Sequence, residues 1–344
     1  MQNPFNITFG VEPSQYINRD PEFREIVNNF NGDSSSQVYL ITGVRGSGKT
    51  VFLSTICDHF KNESDWIVVE VNPERNMLES LAAKIYDKAH NKFKFHVSEF
   101  SFSFNGLTIN LSGENKISDV ESLLENMLSY LKKKDKKVLV AIDEATNSKE
   151  MKEFAHSFQI LLRQKLPLYC IMTGLFENVR SLEDEKSLTF LYRAPKITLE
   201  HLDILKIANS FRDSFNIDYD YALKLAKLTK GYAYAYQVLG YLLFNKKDNQ
   251  LDDNVLSQYD AYLENHVYDK IWSSCPPKEK EILMALTKTD ETSYIIIALD
   301  ITKSAYCSYR DRLIKKGVVV SKEWGKLEFN LPRFEEFIIR KTEF

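Results

Sequence analysis

The sequence predicts an α/β protein with a mostly parallel sheet, followed by helices and a small C-terminal domain. Strand-like runs alternate with helical stretches over about the first 200 residues, which is the pattern of a parallel sheet covered on both faces. A glycine-rich loop joins the first of these strands to a helix. After about residue 200 the strand-like runs give way to helical periodicity.

Composition limits the class of protein. The chain has 344 residues with 44% hydrophobic content, enough for two or three domains with at least one sizeable core. A net charge of −3 argues against coating nucleic acid through bulk charge, although a local basic face is compatible with it. No signal peptide or membrane-spanning apolar run is visible, and the four cysteines lack metal-ligand spacing. We therefore expect a cytoplasmic protein with reduced thiols and no membrane partner.

The glycine-rich loop is "GVRGSGKT", Gly43 to Thr50. Its glycines let backbone N–H groups approach phosphates closely, Lys49 can reach the β- and γ-phosphates, and the Thr50 hydroxyl can bind magnesium. The alternative is a glycine turn that binds nothing, which the strand "QVYLIT" before the loop and the helix "TVFLSTICDHF" after it disfavour. The pattern predicts a P-loop NTPase that binds nucleotide phosphates and Mg²⁺, with these cofactor-binding residues: Gly43, Val44, Arg45, Gly46, Ser47, Gly48, Lys49, Thr50 and Val51.

Four apolar runs supply the predicted strands: "VYLIT", "WIVVEV", "VLVAID" and "LYCIMTG". An insertion at about residues 97–112 interrupts the α/β pattern, because apolar and polar residues alternate there around Asn105-Gly106, a strong hairpin signal. We interpret this hairpin as a structural flap. The alternative is a protein contact surface.

An acidic pair follows the third strand-like run. Asp143 and Glu144 come where a buried strand ends, and ligands of open α/β sheets bind at the carboxyl ends of strands. If the strands are neighbours, Asp143 lies near Thr50 and both bind the metal, while Glu144 polarises the attacking water as a catalytic base. The alternative is a solvated pair with no role.

Two further residues are catalytic candidates beside Glu144 and Lys49. Thr173 ends the run "LYCIMTG" and would place a hydroxyl near the γ-phosphate, although a polar strand end needs no such role. Arg193, in "FLYRAPKITL", would stabilise charge during phosphoryl transfer, either in its own chain or in a neighbouring one. An ordinary surface arginine is the alternative.

A second nucleotide motif is misleading. The run "NKKD", Asn245 to Asp248, matches the N-K-x-D of guanine-specific GTPases, but it follows a predicted helix instead of ending a strand. Position 146 is threonine, where the D-x-x-G motif of GTPases has glycine. We interpret the run as a solvated helix end and predict adenine as the base.

These residues resemble the AAA+ and STAND-like ATPases, particularly the prokaryotic ATPases related to archaeal replication initiators. The resemblance rests on the loop, "VLVAIDE", "CIMTG", "YRAPKITLEHL" and "TKGYAYAYQVLGYLLF". It implies a five-stranded ATPase core at residues 1–199, a helical lid at 200–265 that closes on adenine, and a winged helix at 266–344. It also assigns the region from Tyr16 to Arg19 to the adenine pocket. The helix around "KGYAYAYQ" departs from the AAA+ pattern, because it lacks the arginine of the second sensor.

The C-terminal segment has the pattern of a winged helix on its own residues. "TKSAYCSYRDRLIKKG" predicts a helix that could enter a DNA groove, and "VVVSKEWGKLEFNLP" predicts a hairpin wing. The candidate phosphate contacts are Lys303, Arg310, Arg312, Lys315, Lys316 and Lys322. The alternative is a winged helix that docks on a protein.

The leading functional hypothesis is a magnesium-dependent ATPase that uses nucleotide state to control its conformation or its assembly, including a nucleotide-dependent homo-oligomer. One alternative is a DNA-binding regulator, similar to a replication initiator, in which ATP is a slow switch. Another is a signalling scaffold whose partner is a protein.

Overall fold

The computed structural model describes residues 3–8, 13–32, 36–93, 100–104, 107–109, 115–116, 119–185, 188–246 and 248–342. Contacts between Cα atoms divide the chain into two compact units. The sheet unit consists of Asp20–Thr42 and Thr50–Thr198. The helical unit consists of Met1–Arg19, Gly43–Lys49 and Leu199–Phe344, so the glycine-rich loop belongs to it.

Among the described residues, the sheet unit contains the first fifteen elements. In order they are α1 (Asp20–Asn31), β1 (Val38–Thr42), α2 (Lys49–Asn62), β2 (Trp66–Glu70), α3 (Met77–Phe93), β3 (Phe100–Phe104), β4 (Leu107–Ile109), β5 (Asn115–Lys116), α4 (Val120–Lys133), β6 (Lys137–Ile142), α5 (Lys149–Arg163), β7 (Leu168–Gly174), α6 (Phe176–Glu183), α7 (Thr189–Tyr192) and β8 (Lys196–Thr198). Helix α2 begins at Lys49, the last loop residue that belongs to the helical unit.

Five parallel strands form the main sheet, in the order β2-β6-β7-β1-β8. The four apolar runs of the sequence form β1, β2, β6 and β7, which confirms the predicted α/β class. The residue pattern did not indicate the edge strand β8. The inner strands are buried almost throughout, and alternate apolar side chains along them share one core with those of α4 and α5.

The hairpin region pairs β3 and β4 antiparallel, with Phe102 opposite Ile109 and Phe104 opposite Leu107. Strand β5 pairs parallel with β3. Asn105 and Gly106, the predicted turn, lie outside the described residues. The flap and contact-surface interpretations both stay predictions.

The helical unit contains the remaining elements around a second core. They are α8 (Ile204–Phe215), α9 (Tyr219–Leu228), α10 (Ala233–Asn245), α11 (Asp253–Leu263), a π-helical turn (Glu264–Tyr268), α12 (Asp269–Ser274), α13 (Pro277–Leu286), α14 (Thr292–Ala298), α15 (Lys303–Lys315), β9 (Val319–Val320), β10 (Glu328–Phe329) and α16 (Phe334–Thr342). Strands β9 and β10 pair antiparallel.

The N-terminal segment packs into the core of the helical unit. Phe5 is buried, and its ring centroid lies 5.5 to 6.0 Å from those of Phe211, Phe215 and Tyr236. A Cβ atom at Gly240 of α10 would lie 2.3 Å from the Phe5 ring, so the close approach requires glycine there. Within the described part of the chain, no helix is both long and apolar enough to cross a membrane.

Candidate functional site

The glycine-rich loop lies between β1 and α2. Gly46 and Gly48 have φ angles of +76° and +90°, a region that side chains other than glycine rarely adopt. The Lys49 ammonium donates hydrogen bonds to the carbonyl oxygens of Gly43 and Val44, each at 2.9 Å. The Ser47 N–H donates to the carbonyl of Val44 at 3.1 Å. The loop therefore folds back on itself, in a conformation that requires glycine at positions 46 and 48.

Two side chains of the helical unit hold the carbonyl groups of the loop. The guanidinium of Arg19 donates to the Ser47 carbonyl at 3.1 Å and to the Glu200 carbonyl at 2.8 Å. The hydroxyl of Tyr232 donates to the Arg45 carbonyl at 2.5 Å. The sequence motif gave no indication of either contact, because motif patterns contain only residues of the loop itself.

A second group of polar residues lies in the sheet unit around Asp143. The Thr50 hydroxyl donates to Oδ2 of Asp143 at 2.8 Å, and the Thr173 hydroxyl donates to Oδ1. The N–H of Glu144 also donates to Oδ1, at 3.1 Å. Three donors therefore hold the carboxylate, and its Oδ2 atom contacts the first turn of α2.

Strand order explains how these residues meet. The sequence predicts that Asp143 lies near Thr50 if the strands before them, β6 and β1, are neighbours. In the sheet, β7 lies between β1 and β6. In register, Thr173 of β7 is opposite Ile41 of β1, and Ile142 of β6 is opposite Met172. The Thr173 side chain therefore lies at the strand end that separates the two partners, and its hydroxyl contacts Asp143.

Glu144 has an unusual backbone conformation. Its φ angle is +56°, in the left-handed region that glutamate rarely adopts. The next residue, Ala145, donates its N–H to the Thr173 carbonyl at 2.7 Å, so strand β7 holds this turn. The Glu144 side chain is exposed. A hydrogen-bonded turn that carries an exposed carboxylate suits a group that must contact a substrate or water.

Within the described part of the chain, two of the predicted residues make no hydrogen bond to this group. Arg193 is exposed and caps the C-terminal end of α7, and no hydrogen bond or ion pair of its side chain is found among the described residues. Val51 lies in α2, where its carbonyl accepts a hydrogen bond from the Thr55 hydroxyl at 2.9 Å.

The "NKKD" run is the end of a helix, as the sequence indicated, since Asn245 is the last residue of α10. The Lys246 ammonium lies 2.8 Å from the Asp252 carboxylate and 3.2 Å from that of Asp248. Lys247 lies outside the described residues.

Several of the C-terminal cations are engaged within their own domain. Arg310 pairs with its neighbour Asp311 at 2.8 Å. Lys316 pairs at 2.7 Å with Glu279, whose side chain is only 1% exposed. Lys322 pairs with Glu328 at 3.2 Å. Fewer unpaired positive charges are therefore available to bind DNA on the C-terminal segment than the number of lysines and arginines in its sequence suggests.

Residues 16–173 match a family described as an ATPase domain predominantly from Archaea. Together with the five-stranded parallel sheet, this match confirms the resemblance to archaeal-type P-loop ATPases and supports an ATP-binding ATPase. Residues 265–338 match a domain of unknown function, DUF8462. No curated protein is similar enough in sequence to count as a match.

Solved structures share the fold along the whole chain. The Walker-type ATPase PABY2304 of Pyrococcus abyssi is 16% identical, with 97% of this chain and 99% of that chain covered and a TM-score of 0.68. The ORC2 protein of Aeropyrum pernix, solved in ADPNP-ADP complexes, is 13% identical, with 98% of each chain covered and a TM-score of 0.60. Cdc6p of Pyrobaculum aerophilum is 14% identical, with 97% and 96% covered and a TM-score of 0.50. At these identities the similarity establishes the fold alone.

Proposed function

We propose that the protein binds ATP with Mg²⁺ through the loop Gly43–Thr50, hydrolyses it, and uses the nucleotide state to control its conformation or assembly. The observation that carries the proposal is the Asp143 carboxylate, which accepts hydrogen bonds from Thr50, at the end of the loop motif, and from Thr173. A glycine loop that served only as a turn would not need a carboxylate placed on its terminal threonine.

The residues present suit magnesium. The Thr50 hydroxyl and the Asp143 carboxylate lie 2.8 Å apart, and both are hard oxygen donors of the kind that Mg²⁺ prefers. The ion would neutralise charge on the phosphates and orient them. In this assignment Asp143 is held in place by Thr173, so Thr173 acts by positioning the carboxylate.

Glu144 is the proposed general base. It follows Asp143 directly, its side chain is exposed, and its backbone is fixed by β7. A carboxylate in this position can accept a proton from an attacking water. Arg193, in its own or a neighbouring chain, is proposed to stabilise the charge that develops on the phosphates.

ATP binding tests this assignment directly. Lys49→Ala should weaken binding of Mg²⁺-ATP by about ten- to a hundredfold, because a charge-assisted hydrogen bond is worth roughly 1.5–3 kcal/mol. Lys61→Ala is the matched control, since Lys61 lies on the same helix and pairs with Asp58 at 2.9 Å. Calorimetric titration of both variants and the parent measures the effect. Equal affinity in the two variants, or no ATP binding by the parent, would overturn the proposal.

DNA binding is the second candidate function. The C-terminal elements follow the order of a winged helix: α13, an isolated bridge from Glu291 to Lys326, α14, α15, then β9 and β10. Lys303 and Arg312 are exposed cations of α15. Both are better placed to contact phosphates than Arg310 and Lys316, which pair with carboxylates at 2.8 and 2.7 Å. The Arg312 guanidinium lies 4.0 Å from the Glu279 carboxylate, a longer ion pair.

Replacing Lys303 and Arg312 by alanine should weaken binding of duplex DNA and lower the salt slope by about two, because each phosphate contact contributes about one to it. Titration at two salt concentrations measures both quantities. Unchanged affinity would exclude this helix as the contact. No binding by the parent at low salt would leave a protein as the partner.

A further inference from the structure

Three consecutive residues of the phosphate loop are contacted by other parts of the helical unit. Tyr232 donates its hydroxyl to the Arg45 carbonyl at 2.5 Å, and Tyr234 donates its N–H to the Gly46 carbonyl at 3.0 Å. A Cβ atom at Gly317, after α15, would lie 2.0 Å from the Val44 side chain. The contacts from Tyr232 and Tyr234 come from the start of α10, and both are made to backbone oxygen atoms.

Burial and close packing hold the Tyr232 side chain in this position. Its side chain is fully buried, and burial raises the pKa of its hydroxyl well above the usual value, so the group stays a hydrogen-bond donor. A Cβ atom at Gly46 would lie 2.2 Å from the tyrosine oxygen. Gly46 is therefore required both by its positive φ angle and by the approach of Tyr232.

The hydrogen bond from Tyr232 to the Arg45 carbonyl orients the whole peptide unit between Arg45 and Gly46. A peptide unit is planar and trans, so its carbonyl oxygen and its N–H point in opposite directions. Holding the Arg45 carbonyl against Tyr232 therefore directs the N–H of Gly46 away from α10. A phosphate loop binds its ligand through such N–H groups, so the direction of this peptide matters for affinity.

The same turn of α10 carries no cation. Tyr232, Ala233 and Tyr234 occupy it, so no guanidinium is available there to contact the terminal phosphate of ATP. The turn contacts the backbone of the loop, and that backbone contacts phosphates shared by ATP and ADP.

We propose that Tyr232 is a positioning residue for nucleotide binding: its hydroxyl orients the Arg45–Gly46 peptide, and through it α10 responds to loop geometry rather than to the γ-phosphate. The proposal rests on the proposed ATP site. It predicts that loss of the hydroxyl lowers the affinity for a nucleoside diphosphate and for a nucleoside triphosphate to the same extent.

The test is Tyr232→Phe, which removes one oxygen atom and keeps the ring. The matched control is Tyr236→Phe, because Tyr236 lies one turn further along α10, is 1% exposed, and shares a 2.6 Å hydrogen bond with the Ser210 hydroxyl, away from the loop. Affinities for ADP and for the non-hydrolysable analogue AMP-PNP are measured by calorimetry with Mg²⁺. Hydrogen exchange of the loop peptide is measured without nucleotide.

We expect Tyr232→Phe to lower the affinity for both nucleotides by about fivefold, as for the loss of one hydrogen bond. Hydrogen exchange in the loop should become faster. Tyr236→Phe should change thermal stability by a similar amount without either effect. Equal behaviour of the two variants would overturn the inference, as would a loss confined to AMP-PNP, which indicates contact with the γ-phosphate. Failure of the parent to bind either nucleotide would instead overturn the proposed function.

Discussion

Glu144→Gln should retain ATP binding and lower the rate of ATP hydrolysis by at least about a hundredfold, the contribution expected of a general base. The amide keeps the size and the hydrogen-bonding shape of the side chain but cannot accept a proton at neutral pH. The backbone contacts of the turn, from the N–H groups of Glu144 and Ala145 to Asp143 and Thr173, do not involve the side chain and should persist. Steady-state phosphate release and ATP titration measure the two quantities separately.

Glu150→Gln is the matched control for this experiment. Glu150 lies six positions further along the chain, in the first turn of α5, and its carboxylate has no proposed role. It should hydrolyse ATP at the parent rate. If Glu144→Gln also does so, another group activates the water. If both binding and hydrolysis are lost, Glu144 supports the structure of the site rather than its chemistry.

The sheet was largely predictable because its inner strands carry continuous apolar runs. Strands β1, β6 and β7 are buried almost throughout, so their side chains leave a clear signal in the sequence. Strand β8 was missed because it has three residues and only Ile197 is buried, with Lys196 and Thr198 exposed. An edge strand this short is defined by its pairing with β1, which no local pattern contains.

The candidate site was predicted from residue types at a fixed spacing. The loop motif predicted roles for Lys49 and Thr50, and the end of an apolar run predicted one for Asp143, which contacts Thr50. The role of Thr173 needed the strand order, because its contact with Asp143 follows from the position of β7 between β1 and β6. The contact of Tyr232 with Arg45 joins residues 187 positions apart, and the run "GYAYAYQ" indicates only a helix.

The basic residues of α15 and of its C-cap, Lys316, differ in whether a carboxylate already binds them. Lys316 looked like a phosphate contact, but its ammonium lies 2.7 Å from Oε2 of Glu279 and 3.4 Å from the Ser274 carbonyl. Glu279 is 1% exposed, and the next nearest cation, Arg312, lies 4.0 Å from its other oxygen. The pair therefore joins α13 to the C-terminal end of α15. Lys316 is accordingly expected to contribute to stability rather than to DNA binding.

Lys316→Met should lower the free energy of unfolding by about 3 kcal/mol, because removing one partner leaves a buried carboxylate uncompensated. Lys315→Met, at the exposed neighbouring position, should change it by less than about 0.5 kcal/mol. The double variant Glu279→Leu with Lys316→Met should recover most of the loss, since replacing both charges by apolar side chains is often nearly neutral. Urea denaturation measures all three. A Lys316→Met variant that keeps the stability of the parent but binds duplex DNA more weakly would show that the lysine contacts phosphate, and that its pairing with Glu279 contributes little to the fold.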